Sequence, residues 1–94
     1  MRRTRYILFS IFVFHAVIGF AQDITGGLVL ENLTHQPVIG ASITLAETKN
    51  VVAITDMNGR FTAKNINGKT IRINYIGFKP LVAKATKDAT YYLV

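Results

Sequence analysis

The sequence predicts an all-β domain, a small seven-stranded sandwich, and three observations carry that expectation. Apolar residues alternate with polar ones at a period of two along seven short segments, the spacing of strands that bury one face. Turn formers separate the segments, among them Asp56-Met57-Asn58-Gly59, Asn67-Gly68 and Ile76-Gly77. Beyond residue 21, no window longer than about ten residues carries a capped helical pattern. Strands recurring every roughly 8–12 residues between such turns specify a sandwich.

The first 21 residues stand apart from that pattern. Arg2, Arg3 and Arg5 precede an almost unbroken apolar run from Tyr6 to Phe20, and Gly19 and Ala21 fit the −3 and −1 positions of a cleavage site. That order is expected of a secretory signal peptide over 1–21, cleaved after Ala21. A membrane-spanning helix would need about 20 apolar residues. The chain contains no cysteine, which excludes both a lipidated start and disulfide support for the exported domain. Residues 22–94 are long enough for one domain, which at this size buries only about 60% of its unfolded surface. Its core must come from apolar packing.

Each predicted strand is justified by its alternation. Ile24, Gly26, Leu28 and Leu30 share one face of the first; Ala41, Ile43 and Leu45 share one face of the second, with Ser42 and Thr44 opposite. Gly40 turns the chain into that second strand. Val51 to Thr55 is a β-branched third strand ending at Asp56, Asn58 and Gly59, residues that suit a type I turn closed by a left-handed glycine and so a hairpin. In the fourth, Phe61 and Ala63 face inward against Arg60, Thr62 and Lys64. Asn67-Gly68 predicts a second tight hairpin. The fifth alternates Ile71, Ile73 and Tyr75 with Thr70, Arg72 and Asn74, and Gly77 turns the chain after it. Leu81, Ala83 and Ala85 give the sixth, and Tyr91 and Leu93 the seventh. Pro80 lacks an N–H for a ladder, so the strand it opens belongs at a sheet edge; a partner strand is then expected on the opposite edge.

Composition excludes several functions. The formal charge is +6, but three of the arginines belong to the predicted signal. The remaining cations, Lys49, Arg60, Lys64, Lys69, Arg72, Lys79, Lys84 and Lys87, are scattered, whereas a nucleic-acid footprint needs a basic stripe with interleaved aromatics. After residue 21 there is one histidine, His35, one serine, Ser42, and five carboxylates, Asp23, Glu31, Glu47, Asp56 and Asp88. A Ser-His-Asp arrangement would need His35 and Ser42 to meet, yet one lies in a polar loop and the other on a solvent-facing strand position. No set of three or four zinc-ligand types clusters. Asp56-x-Asn58-Gly59 has the start of a calcium loop but lacks its third early ligand and closing bidentate Glu. Asn32-Leu33-Thr34 matches a glycosylation sequon and is read as a polar turn. Among the aromatics, Tyr75, Phe78 and Tyr91 are expected to pack in the core, and Tyr92 alone has outward parity. No catalytic residue, metal ligand or cofactor contact is predicted.

Four motifs in order, Ile24-Thr25-Gly26, Pro37-Val38-Ile39-Gly40-Ala41-Ser42-Ile43, Thr55-Asp56-Met57-Asn58-Gly59-Arg60-Phe61 and Tyr75-Ile76-Gly77-Phe78, resemble the carboxypeptidase-regulatory-like domain. The resemblance covers about Asp23 to Val94 and is closest to the N-terminal extension of starch-utilisation-type, TonB-dependent outer-membrane transporters. It implies a transthyretin-like (prealbumin-like), seven-stranded Greek-key sandwich without catalytic function. It also implies export to the periplasm or the periplasmic face of the outer membrane, and a protein partner in the uptake system. In such transporters a TonB box, a plug and a large barrel follow; none lies within these 94 residues, so the expectation is a stand-alone module or the front of a longer reading frame. Three features depart from the family pattern: Gly27, where a polar residue is commoner; Val51-Val52-Ala53, in place of a Gly- and Thr-rich approach; and Thr34-His35-Gln36, in place of an acidic, Gly-containing turn. The alternative is a small secreted carbohydrate- or surface-binding module that uses Tyr92 and the loop around His35.

Overall fold

Residues 23–94, the part of the chain that the computed structural model describes, form seven strands and, among those residues, no helix. The signal-peptide expectation for residues 1–21 lies outside the described residues. The strands are β1 (Ile24–Glu31), β2 (Ser42–Leu45), β3 (Val51–Ile54), β4 (Arg60–Lys64), β5 (Thr70–Asn74), β6 (Leu81–Lys84) and β7 (Ala89–Leu93). They build two sheets, one in the order β4-β1-β7 and one in the order β3-β2-β5-β6. All pairings are antiparallel except β1 with β7, which run parallel from Gly27↔Ala89 to Glu31↔Leu93.

The inner faces meet in one apolar core. Val29, Phe61, Ala63, Tyr91 and Leu93 come from the three-stranded sheet, and Ile43, Ile71 and Ile73 from the four-stranded one. Each fully buried Ile or Leu contributes about 1.5–3 kcal/mol through removal from water. Ile66, also fully buried, plugs the core from the connection between β4 and β5.

Alternation places the inward residues correctly in β2, β4, β5 and β7, and reverses them in β1. There Thr25, Gly27 and Val29 point inward, while Ile24, Gly26, Leu28 and Leu30 form the outer face. The cause is aromatic packing. A Cβ on Gly27 would stand 2.6 Å from the Phe61 ring and 3.0 Å from that of Tyr91, so the missing side chain is the space those rings occupy. That requirement also explains why a glycine stands at this position.

Both predicted hairpins are instead corners between sheets. The Asp56–Gly59 turn carries the chain from β3 to β4, and Asn67-Gly68 from β4 to β5, each crossing from one sheet to the other. Turn chemistry reverses the chain without choosing the partner of the next strand: β4 pairs with β1, and β5 with β2. The hairpins within a sheet are β2–β3 and β5–β6. Pro80 does open an edge strand, since β6 ends the four-stranded sheet. Its opposite edge is β3, where Val52 is an extra residue bulged between the pairs Ile43↔Ala53 and Thr44↔Val51.

Candidate functional site

The reactive residue types stay apart. His35 sits in the loop after β1 with φ 60°, and its ring lies 5.7 Å from that of Tyr92, tilted by 50°. Ser42 lies on the outer face of the other sheet, where its Oγ donates to the Asn74 carbonyl at 3.5 Å. The histidine and the serine therefore occupy opposite outer faces. Among the described residues, no three His, Cys, Asp or Glu side chains gather where they could hold a metal ion.

Ile24-Thr25-Gly26 lies at one end of the sandwich, where Ile24 pairs with Lys64, and the other three motifs meet at the opposite end. Thr55 is their hub. Its buried hydroxyl donates to the Val38 carbonyl at 2.6 Å and accepts the Ala41 N–H at 2.8 Å, while its backbone exchanges bonds with Gly40 and Ala41 at 3.0 Å. Asp56 then closes the turn. Its Oδ1 accepts the N–H groups of Asn58 at 2.9 Å and Arg60 at 3.0 Å. These bonds, that from Arg60 first, hold the Asp56 carboxyl below its ordinary pKa. Asn58 takes part through its backbone, and Gly59 donates to the Asp56 carbonyl at 2.9 Å. Gly59 has φ 76°, and a Cβ there would lie 2.7 Å from the Val29 carbonyl and 2.9 Å from Pro37. A Cβ on Gly40 (φ 83°) would lie 3.8 Å from the Tyr75 ring, whereas one on Gly77 (φ 91°) would meet nothing within 4 Å.

One aromatic expectation changes. Tyr75 is not a core residue: it lies just past β5, 37% exposed, with its ring 6.1 Å from that of Phe78. Phe78 is partly buried and packs against the core. Tyr91 is buried as expected, and its hydroxyl accepts the Thr86 N–H at 3.2 Å. Tyr92 is 43% exposed on the outer face of β7, opposite Leu30 in the register. The structure thus brings together the two residues that the sequence marked for surface contact, His35 and Tyr92. Their tilted rings do not form a flat stacking platform. A shallow groove of about 400 Å³ on the β4-β1-β7 sheet, lined among others by Gly26, Leu28, Arg60, Thr62, Asp88 and Thr90, includes neither ring.

Two residues that sequence reasoning passed over matter here. Thr55 was visible only as the end of a strand, although a threonine just before an Asp-x-Asn-Gly turn is placed to tie that turn to a neighbouring loop. Ile66 was hidden inside a predicted turn, where an apolar residue among Asn65, Asn67 and Gly68 was the signal.

Comparison with known proteins agrees with this arrangement. The sequence profile of the CarboxypepD_reg-like domain matches residues 25–92. The TonB-dependent receptor SusC of Bacteroides thetaiotaomicron is 34% identical over 68 residues, which cover 72% of this chain and 7% of that receptor. The chain therefore spans a small part of the relative's length. The C-terminal domain of the PapC usher superposes with a TM-score of 0.54 at 17% identity, over 76% of this chain and 95% of that domain, a likeness of fold alone. With three of the four motifs assembled at one end of a seven-stranded sandwich and the profile spanning nearly every described residue, the chain belongs to the CarboxypepD_reg-like domain family.

Proposed function

We propose that this chain is a non-catalytic, exported module of a TonB-dependent nutrient-uptake system, working on the periplasmic side of the outer membrane by protein contact. The observation that carries the reading is the 34% identity to the TonB-dependent receptor SusC across the matched domain. The placement of the motif residues supports it: Thr55, Asp56 and Gly59 serve backbone bonds and close packing, and among the described residues His35 and Ser42 lie on opposite faces. Export follows from the predicted signal over 1–21, with cleavage after Ala21.

The test is covalent capture in living cells. A photo-crosslinking residue introduced at position 92 of the full-length chain should join it to an outer-membrane TonB-dependent receptor, identified by mass spectrometry of the product. Cross-links confined to cytoplasmic proteins would contradict the reading. The mass of the exported chain should begin at Gln22, and an intact Met1 would contradict export by cleavage.

The exposed His35–Tyr92 pair is what favours the alternative of a carbohydrate-binding module. An NMR titration of the chain with glycans decides it: shifts confined to the two residues support sugar binding, and their absence at millimolar glycan removes it.

A further inference from the structure

The two sheets end in four edges, and three are blunted in ways that proteins use against stray strand pairing. β6 opens after Pro80 and ends in Lys84. β3 is four residues long and carries the bulge at Val52. β4 presents Arg60 and Lys64 on its exposed face. β7 differs: five residues, Ala89-Thr90-Tyr91-Tyr92-Leu93, with no charge, no proline and no bulge.

The hydrogen bonds show which backbone groups β7 leaves open. The Asp88 N–H donates to the Gly26 carbonyl at 3.0 Å, and the Asn32 N–H donates to the Leu93 carbonyl at 2.9 Å. Asp88 has φ 57° and the Ala89 N–H closes its turn on the Thr86 carbonyl at 3.3 Å, so the strand alternation starts after them. With the parallel register Gly27↔Ala89 to Glu31↔Leu93, Tyr91 and Leu93 turn their backbone toward β1. Thr90 and Tyr92 therefore turn theirs to the open side. One bond already forms on that side: the Lys79 N–H donates to the Val94 carbonyl at 2.9 Å. It marks where a further strand would begin.

Charge around this edge has one sign. Lys79 stands at its upper end, Lys87 at its lower end, and Lys84 on the adjoining β6. Asp88, the acid nearest in sequence, lies on the β1 side, with Oδ1 3.9 Å from the Cβ position of Gly26. A second copy pairing antiparallel through β7 would bring Lys79 of one chain toward Lys87 of the other, a like-charge contact that disfavours self-association.

We infer that the outer edge of β7 is a docking edge for an extended polypeptide segment with acidic flanks, which adds as a strand beside Thr90 and Tyr92. Main-chain bonds supply affinity in this mode, and flanking charges supply orientation and choice of partner. The inference rests on the proposed function only in taking the partner to be protein.

The test uses the 15N-labelled full-length chain and two capped peptides, Asp-Val-Thr-Val-Thr-Val-Asp and its lysine-flanked counterpart. The acidic peptide should shift the amides of Thr90 and Tyr92, and bind at least about tenfold tighter than the lysine peptide at low salt. The preference should shrink as salt rises. Thr90→Pro removes an outward N–H that the β1 ladder does not use, and should abolish the shifts. Should that variant misfold, the double variant Lys79→Glu/Lys87→Glu, which touches surface charge alone, should invert the peptide preference. Shifts centred on Val51–Ile54 or Leu81–Lys84, equal binding of both peptides, or no binding at millimolar peptide would each overturn the inference. Peptide binding at this edge without receptor capture in cells would leave the docking edge standing and remove the receptor reading; the reverse outcome would do the opposite.

Discussion

The two ends of the sandwich are built from the same ingredients, short turns with left-handed residues, yet they are held in different ways. At the motif end, the connections 37–41 and 55–59 lock together through the Thr55 hydroxyl, and Gly59 presses against Pro37 and the Val29 carbonyl. At the opposite end, the 65–69 turn is anchored by its buried Ile66 and by backbone bonds, Gly68 N–H to the Ala85 carbonyl at 2.7 Å and Ala85 N–H to the Lys69 carbonyl at 2.8 Å. Gly68 there (φ 81°) has nothing within 4 Å of its would-be Cβ. A glycine at the first end is needed for close approach as well as for its backbone angle. At the second end it is needed for the angle alone.

Substitutions at the two ends should separate these roles. Gly59→Ala should have the largest effect, because left-handed strain adds to a collision with backbone that cannot move aside. A loss of about 2–4 kcal/mol is expected in urea unfolding, with an unchanged denaturant slope. A loss no larger than that at Gly68 would break the comparison. Thr55→Val keeps the shape but strands the Val38 carbonyl and the Ala41 N–H, and should cost about 1–3 kcal/mol. Gly68→Ala meets open space and should cost about 1 kcal/mol, from the backbone angle.

The smallest effect is a pH dependence at the motif end. The N–H bonds from Arg60 and Asn58 lower the Asp56 pKa in the folded chain, so the folded state favours the ionised carboxylate. Its contribution is fully present above the unfolded carboxylate value near pH 4 and is lost as pH falls through the lower folded value. The stability difference between the native chain and Asp56→Asn should therefore shrink on acidification below about pH 4. A difference that is constant through that window would show that the carboxylate charge does not support the turn.

Much of this fold was legible because alternation is a local signal. Ile71 and Ile73 in β5, or Phe61 and Ala63 in β4, declare their inward face from parity alone. β1 misled because its larger apolar residues line the outer face, while glycine and threonine occupy the inner one. No count of hydrophobicity finds a position whose value lies in being empty under Phe61. The corners misled for a related reason: the Asp56–Gly59 and Asn67-Gly68 turns were located correctly, but partner choice depends on strands distant in sequence, as with Gly27↔Phe61 and Ser42↔Asn74. The candidate contact surface was legible only in part. Outward parity marked Tyr92, and a loop position marked His35, but their meeting depends on how the loop after β1 folds back toward β7. The open edge of β7 follows from its parallel pairing with β1, which no local pattern encodes.

The motif end is thus a structural lock, while the edge of β7 stands open. Native-state amide hydrogen exchange on the chain alone tests both parts at once. The Ala41 and Thr55 amides, bonded into the lock, should exchange near the rate of global unfolding, whereas the Thr90 and Tyr92 amides should exchange fast despite lying within a strand. Slow exchange at Thr90 and Tyr92 together with fast exchange at Thr55 would contradict the account.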